Sequence, residues 1–422
     1  MATFNIKEEI KLLFSSQVNI VSEVTNKNKF QKCIDGTKGI YCGFDPTSNR
    51  LHLGNLIQLN LLKRLQKLGC KPIVIIGGAT AQIGDPSGKK VERKILEKNV
   101  VEKNKEQIKT QISKFFSNNI KIFDNFYFYN NTNILNFLRD VGKDFNVNNL
   151  LKKEVIKTRL EVGISFTEFS YQLLQAYDFF YLYKEHQCYG QIGGSDQWGN
   201  IISGIDYCNK KFSNCNAFGI TFNLLTDSNN NKFGKSEDGA IFLDESWKIY
   251  NYLLSIDDKL IDQVCYLLMD WSLVNIKKML DENKLNLSVK LAQKELTKNV
   301  ISYLFSEENF KNYQEINEML FYWKDKINFS LLRKYFSFLP SIQLNWNEIR
   351  DKKIIDILVL IEHFGSKTKI RQLIKQKALL LNKKIVKEDD NLKNYITQDN
   401  KINDFYYILI QAGKKNFFVI RT

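Results

Sequence analysis

Thr47, His52 and Asn55 lie just past a short apolar run in the segment Y-C-G-F-D-P-T-S-N-R-L-H-L-G-N, residues 41–55. The run Gly39-Ile40-Tyr41-Cys42 reads as a strand, and a helical pattern begins at His52 after a Gly/Asp/Pro turn. A strand that feeds a helix N-terminus aims unpaired backbone N–H groups and the positive end of a dipole at one point. A hydroxyl and an imidazole placed there add donors to a hole for an anion. The strand-turn-helix shape is common; this order of residue types is not.

Three more segments carry groups able to do chemistry. Gly77–Arg93 reads G-G-A-T-A-Q-I-G-D-P-S-G-K-K-V-E-R, a Gly-rich stretch with Lys89, Lys90 and Arg93 close together. A Walker A loop is excluded, because Ile83 stands where its first Gly belongs and Lys90 replaces the hydroxyl residue. Such a segment binds phosphate or is a solvated turn. In Ile164–Tyr183, Tyr171, Gln175 and Asp178 are spaced i, i+4, i+7 on a helical, very aromatic pattern. They form either an exposed polar stripe or a small buried polar pocket, and the apolar neighbours favour the pocket. Asn231–Ser236, N-K-F-G-K-S, reads as a mobile loop whose Lys232 and Lys235 can fold over a triphosphate.

The elements that must hold these groups alternate between strand and helix over residues 38–126. Lys71–Gly77 is a continuous apolar run, as expected of a strand buried on both faces. Glu92–Phe116 reads as a long charged helix, Ile120–Tyr129 as aromatic and β-prone, and Tyr189–Ile192 as a strand ending in Gly193-Gly194-Ser195-Asp196. The alternation predicts an α/β, Rossmann-like parallel sheet at residues 1–240, with ligands beyond the carboxyl ends of its strands. Strand signals vanish from Trp247 to Trp323, which predicts a helical domain at 241–328. Residues 329–352 read as a linker, and 353–422 as a small basic α+β module.

The chain has 422 residues and a net charge of +15. Residues 361–422 hold 13 Lys/Arg against 6 Asp/Glu, a local excess of +7 that points to an anionic partner such as nucleic acid. Seven Cys without a C-x-x-C pair predict free thiols in a reducing compartment, and three scattered His predict no metal cluster. No apolar run reaches the length of a membrane span. Abundant Asn, Lys, Ile, Phe and Tyr look like the codon bias of an A/T-rich genome.

L-H-L-G-N together with K-F-G-K-S resembles the two signatures of class I aminoacyl-tRNA synthetases. The blocks Y-C-G-F-D-P-T, G-G-A-T-x-x-I-G-D-P-S-G-K, G-I-S-F-T-E-F-S-Y-x-x-L-Q-A-Y-D-F and Q-I-G-G-S-D-Q-W-G-N resemble the bacterial-type tyrosyl-tRNA synthetases. Residues 366–386 are similar to an RNA-binding module first known from a small-subunit ribosomal protein, the S-four type.

The resemblance implies ATP-dependent ligation of L-tyrosine to its tRNA, through tyrosyl-adenylate and without a protein nucleophile. It implies that Tyr41 and Asp178 read the phenol, that Asp85, Tyr171 and Gln175 bind the ammonium, and that Gln197 lies near the carboxylate. Gly43, Asp45, His52, Asn55, Gly194, Asp196, Lys232, Lys235 and Ser236 are placed on ATP. Thr47, His52, Lys89, Arg93, Lys232 and Lys235 are placed on the reacting phosphates, with Mg²⁺ bound through those phosphates. Lys367, Lys369, Arg371, Lys375, Lys377, Lys383 and Lys384 are placed on tRNA. A homodimer and no editing domain are expected, the tyrosyl enzymes themselves being the standard case that rejects phenylalanine by about 10⁵ without editing.

Three departures stand out. Asn55 replaces the last His of the first signature, Phe233-Gly234 interrupts the second, and Lys377 and Lys383 stand where the RNA-binding module usually has Gly. The composition suits an organelle of an A/T-rich organism, with a bacterial cytoplasm as the alternative. A non-catalytic RNA-binding protein on a synthetase body is the competing reading.

Overall fold

Apolar runs that end at Gly or Asp become strands covered by helices. The structure, a computed structural model, describes residues 5–87, 96–130, 132–225, 233–236, 239–321, 327–361, 364–413 and 416–422, with only the backbone for Lys235 and Ser236. Two compact units are described separately, residues 1–304 and 305–422.

The first unit is built on strands β1 (Val21–Val24), β2 (Gly39–Phe44), β3 (Lys71–Ile76), β4 (Lys121–Asp124), β5 (Cys188–Gly194) and β6 (Phe218–Phe222). Their spatial order is β1-β6-β5-β2-β3-β4. The pairs β2–β3, β3–β4, β2–β5 and β5–β6 are parallel, and β1 adds antiparallel to β6. The chain therefore winds from β2 outward to β4, then returns to place β5 on the other side of β2. That reversal opens a crevice beyond the carboxyl ends of β2 and β5.

Four helices frame the crevice: α1 (Leu53–Lys67), α2 (Lys98–Phe115), α3 (Phe166–His186) and α4 (Trp198–Lys211). Phe179 and Leu182 of α3 and Ile201 and Ile205 of α4 pack with Tyr41, Ile73 and Ile75 of the sheet in one buried cluster. Each large apolar side chain buried in this way contributes about 1.5–3 kcal/mol. Before α3, Arg159 donates to both Glu168 oxygens at 3.0 and 2.8 Å, and both residues are buried. Loss of Arg159 would strand the buried Glu168 charge, at a cost of about 3–5 kcal/mol.

Two expectations shift here. The β-prone stretch 120–129 is a strand only to Asp124. Asp124 then caps Phe126 N and starts a 3-10 turn over Asn125–Tyr129. The helix expected from residue 92 begins at Lys98, and residues 88–95 lie outside the described residues.

Short antiparallel strands β7 (Lys235–Ser236) and β8 (Gly239–Ala240) follow β6, and the unit then turns helical, with Ser246–Leu254, Ile261–Leu268, Leu273–Leu285 and Leu291–Leu304. The helix Glu307–Phe321 belongs to the second unit, where Phe321 meets Phe417 edge-on and Met319 O accepts from Lys383 Nζ.

The second unit has strands β9 (Ser341–Gln343), β10 (Leu379–Leu381), β11 (Lys384–Ile385), β12 (Lys401–Ile402), β13 (Phe405–Ala412) and β14 (Asn416–Arg421). They pair in the order β11-β10-β13-β14-β9, with β12 on β13. The expected linker at 329–352 therefore contains a strand, β9, parallel to β14. Helix α5 (Lys367–Lys375) ends in a Schellman-type turn, with Lys377 left-handed at φ 54° and Ala378 N bonded to Leu373 O. Asn382 and Lys383, at φ 47° and 64°, join β10 to β11 as a two-residue hairpin of the primed kind. Both turns that usually use Gly are kept here with Lys.

Candidate active site

The crevice holds a cavity of about 380 Å³. Tyr41, Gly43, Asp45, Thr47, His52, Asn55, Asp85, Tyr171, Gln175, Asp178, Gly194, Asp196 and Gln197 all line it. Residues drawn from four separate stretches of sequence, 41–55, 85, 171–178 and 194–197, thus converge at the carboxyl ends of the parallel strands. Lys89, Arg93 and Lys232 lie outside the described residues, as do the side chains of Lys235 and Ser236.

One end of the cavity is deeply buried. Tyr41 points up from β2 with its hydroxyl buried and, among the described residues, unpartnered, and its ring meets Phe179 edge-on at 5.4 Å. Asp178, on α3, is buried; its carboxylate accepts from Asn125 Nδ2 at 2.8 Å and from the Tyr129 hydroxyl at 2.7 Å. Burial pushes this carboxyl up to about 7, against the pull of those two donors. Burial also pushes the Tyr41 and Tyr171 phenols well above their ordinary range.

A second network spans the middle. Gln175 Nε2 donates to Gln197 Oε1 at 3.2 Å, and Gln197 Nε2 donates to Asp85 at 2.8 Å. The other Asp85 oxygen accepts from Ser87 N at 2.8 Å. Gln175 Oε1 and Gln191 Oε1 are buried without a partner among the described residues. The Tyr171 hydroxyl donates to Asp45 at 2.9 Å, and Thr80 Oγ1 donates to the other Asp45 oxygen at 2.7 Å. Asp45, placed on ATP by the sequence, thus ties the β2 and β3 turns to α3.

The opposite end is open and lined by backbone. A Cβ built on Gly43 would meet no atom of the described residues within 4 Å, so a ligand can approach the chain there. His52 caps α1: its Nδ1 accepts from Asn55 N at 3.2 Å, and Asn55 Oδ1 accepts from His52 N at 3.0 Å. With Nδ1 an acceptor, the neutral ring carries its proton on Nε2. Asn55, whose type departs from the signature, has its Oδ1 committed to this capping box.

The two signature segments touch. Leu53 N donates to Ile241 O, and Ile241 N to Gly234 O, both at 2.8 Å. Gly234 has φ 78°, and a Cβ there would come within 3.0 Å of the Leu53 Cβ. The loop of the second signature is thereby fastened to the helix N-terminus of the first.

With this geometry in view, the comparisons with known proteins are decisive. The family described as tRNA synthetases class I (W and Y) matches residues 35–321, and the tyrosine–tRNA ligase SYY-like C-terminal domain matches residues 332–420. The chain belongs to the tyrosyl branch of the class I tRNA synthetases. It is 41% identical to the tyrosine–tRNA ligase of Ureaplasma parvum serovar 3 over 95% of this chain and 96% of that one. It is 37% identical to the tyrosine–tRNA ligase of Mycoplasmoides gallisepticum over 95% and 97% of the two chains. Among solved structures, a C-terminally truncated mitochondrial tyrosyl-tRNA synthetase of Aspergillus nidulans shares the fold, with TM-score 0.64, 24% identity, and coverage of 75% of this chain and 96% of that one.

Sequence reasoning missed Asn125, Tyr129 and Thr80. Asn125 is fully buried, accepts from Ala79 N at 2.8 Å and donates to both Asp178 and Thr80. The only signal was a lone Asn inside an aromatic run.

The basic module is less free than its composition suggests. Lys367 pairs with Asp356 at 2.7 Å and Arg371 with Glu388 at 3.0 Å. Lys369, Lys375, Lys377 and Lys384 are exposed, while Lys383 reaches a backbone carbonyl.

Proposed function

We propose that this chain joins L-tyrosine to its cognate tRNA using ATP. The tyrosine carboxylate attacks the α-phosphate of ATP and pyrophosphate leaves. The terminal ribose hydroxyl of the tRNA then attacks the activated carbonyl and AMP leaves. The observation that carries this reading is the buried pair of Tyr41 and Asp178 at one end of a cavity whose other end is a capped helix N-terminus.

Each side chain then has a task. Asp178 accepts the phenolic proton and the Tyr41 hydroxyl pairs with the phenol. Asp85, with Gln175 Oε1 and the Tyr171 oxygen, takes the ammonium. Gln197 lies beside the carboxylate, and Gly194 and Asp196 face the ribose. His52 and Thr47 donate to the phosphates, where charge grows in the transition state. Lys89, Arg93, Lys232, Lys235 and Ser236 hold the leaving pyrophosphate. Gly43 admits the nucleotide, with Asp45 holding its neighbours. No group here needs to form a covalent intermediate; positioning and charge stabilisation do the work. Magnesium bound through the ATP phosphates would offset their charge.

The exposed lysines of residues 366–386 take tRNA phosphates, so tRNA affinity falls with salt. Apolar side chains left in solvent between residues 134 and 166, with Ile134 68%, Leu135 74% and Phe166 75% exposed, support a homodimer through this region. The 41% identity to a Ureaplasma enzyme supports the bacterial-cytoplasm alternative over an organelle.

Tyrosine-dependent ATP–pyrophosphate exchange tests the reading. Exchange with tyrosine is expected; exchange with tryptophan alone would overturn it. Removing residues 305–422 should leave exchange intact and abolish tRNA charging. A protein that bound tRNA but exchanged with no amino acid would instead be a non-catalytic RNA binder.

A further inference from the structure

The Tyr129 hydroxyl lies 2.7 Å from Asp178 Oδ1 and 3.0 Å from the Leu174 carbonyl oxygen. It has one proton and two acceptors. We propose that Tyr129 is a positioning residue for phenol recognition: its hydroxyl donates to Asp178 and keeps that carboxylate ionised and aimed at the substrate phenol. The inference rests on the reading of the cavity as a tyrosine site.

Charge decides between the two acceptors. A bond to a carboxylate is roughly twice as strong as one between neutral groups. While Asp178 is ionised, Tyr129 therefore donates to it, and Asn125 donates to the other oxygen. When Asp178 takes up a proton, the bond reverses. The carboxyl donates to the Tyr129 oxygen, and Tyr129 turns its own proton to Leu174 O. Neither state leaves the Asp178 carboxyl or the Tyr129 hydroxyl unpaired, so the pair can hold either one. Only the ionised state accepts the proton of a bound phenol at full strength.

The groups around Asp178 set where the balance falls. Tyr41 faces it from β2, Asp45 from the turn beyond, Asp124 from the end of β4 and Tyr171 from its own helix. Lys105 of α2 offsets Asp124 through a 2.7 Å ion pair. Burial and the nearby carboxylates favour the neutral acid; Asn125 and Tyr129 oppose them. Removing the Tyr129 donor tips the balance toward the neutral acid near physiological pH.

Tyr129→Phe deletes the hydroxyl and keeps the ring, which packs against Tyr177 at 5.4 Å and Phe137 at 6.1 Å. In pyrophosphate exchange, kcat/KM for tyrosine should fall roughly tenfold at pH 7, with KM for ATP unchanged. The acid limb of the kcat/KM profile should move about one unit to the alkaline side. In an Asp178→Asn background, the same substitution should add no further loss. An unmoved acid limb, or an equal loss in both backgrounds, would show that the hydroxyl is merely structural and overturn the inference. The wild-type protein supplies a second measurement: its tyrosine Kd should weaken by up to about tenfold per pH unit below the carboxyl's titration. A flat Kd from pH 8 to 6 would also overturn it. Wild-type protein that showed no tyrosine-dependent exchange would remove the underlying reading, and this inference with it.

Discussion

The two ends of the cavity are built on opposite principles. At the phenol end, Tyr41, Asp178, Asn125 and Tyr129 are buried or half-buried, and among the described residues their network is closed apart from the Tyr41 hydroxyl. At the nucleotide end, the lining is exposed Gly43 backbone, the His52 cap and the Phe233-Gly234 segment. A ligand with one hydroxyl in a fixed place suits a rigid buried socket. There, leaving a buried polar group unpaired is the penalty that rejects the wrong amino acid. A polyanion suits backbone N–H groups and cations on loops, which can adjust as charge moves between oxygens. The end that discriminates is therefore prebuilt from buried side chains, and the nucleotide end is built from backbone and a helix cap.

Substitutions at the two ends should separate along this line. The largest effect is expected at the nucleotide end. Lys235→Ala should slow adenylate formation by about 10²–10³ in single-turnover kinetics, by analogy with loss of one transition-state donor. Tyrosine Kd should stay the same; if tyrosine binding weakened equally, the two ends would not be independent. At the phenol end, Asp178→Asn should lower kcat/KM for tyrosine by about a hundredfold and leave KM for ATP within a few-fold. Equal losses for both substrates would erase the contrast. The smallest effect belongs to the cap. Asn55→Ala opens the capping box of α1 and should cost about 1 kcal/mol of stability in a denaturant titration. The same variant sharpens the comparison if ATP affinity changes by more than a few-fold, since that would give Asn55 a ligand contact as well.

Legibility in the sequence followed locality. The i, i+4, i+7 stripe of Tyr171, Gln175 and Asp178 depends on helical geometry alone, and all three residues line the cavity. The strand-turn-helix at 39–55 was legible for the same reason. Asn125 was not, because its partner lies 53 residues away and only the fold joins them. Strands β1 and β9, of 4 and 3 residues, carry little pattern of their own; pairing with β6 and β14 makes them strands. The basic count of the last 62 residues was read from composition, but the pairing of Lys367 and Arg371 with acidic partners was not. Composition reports charge and says nothing of which neighbours neutralise it.

The central claim is that a prebuilt phenol socket selects the amino acid before any phosphate chemistry begins. The most direct test is the ratio of kcat/KM for tyrosine over phenylalanine in pyrophosphate exchange, measured for wild type and for Asp178→Asn under the same ATP. A ratio of many thousands for wild type, as tyrosyl enzymes themselves are known to show, with a sharp collapse in the variant, is the predicted result. A wild-type ratio near one, or a ratio untouched by Asp178→Asn, would contradict the account.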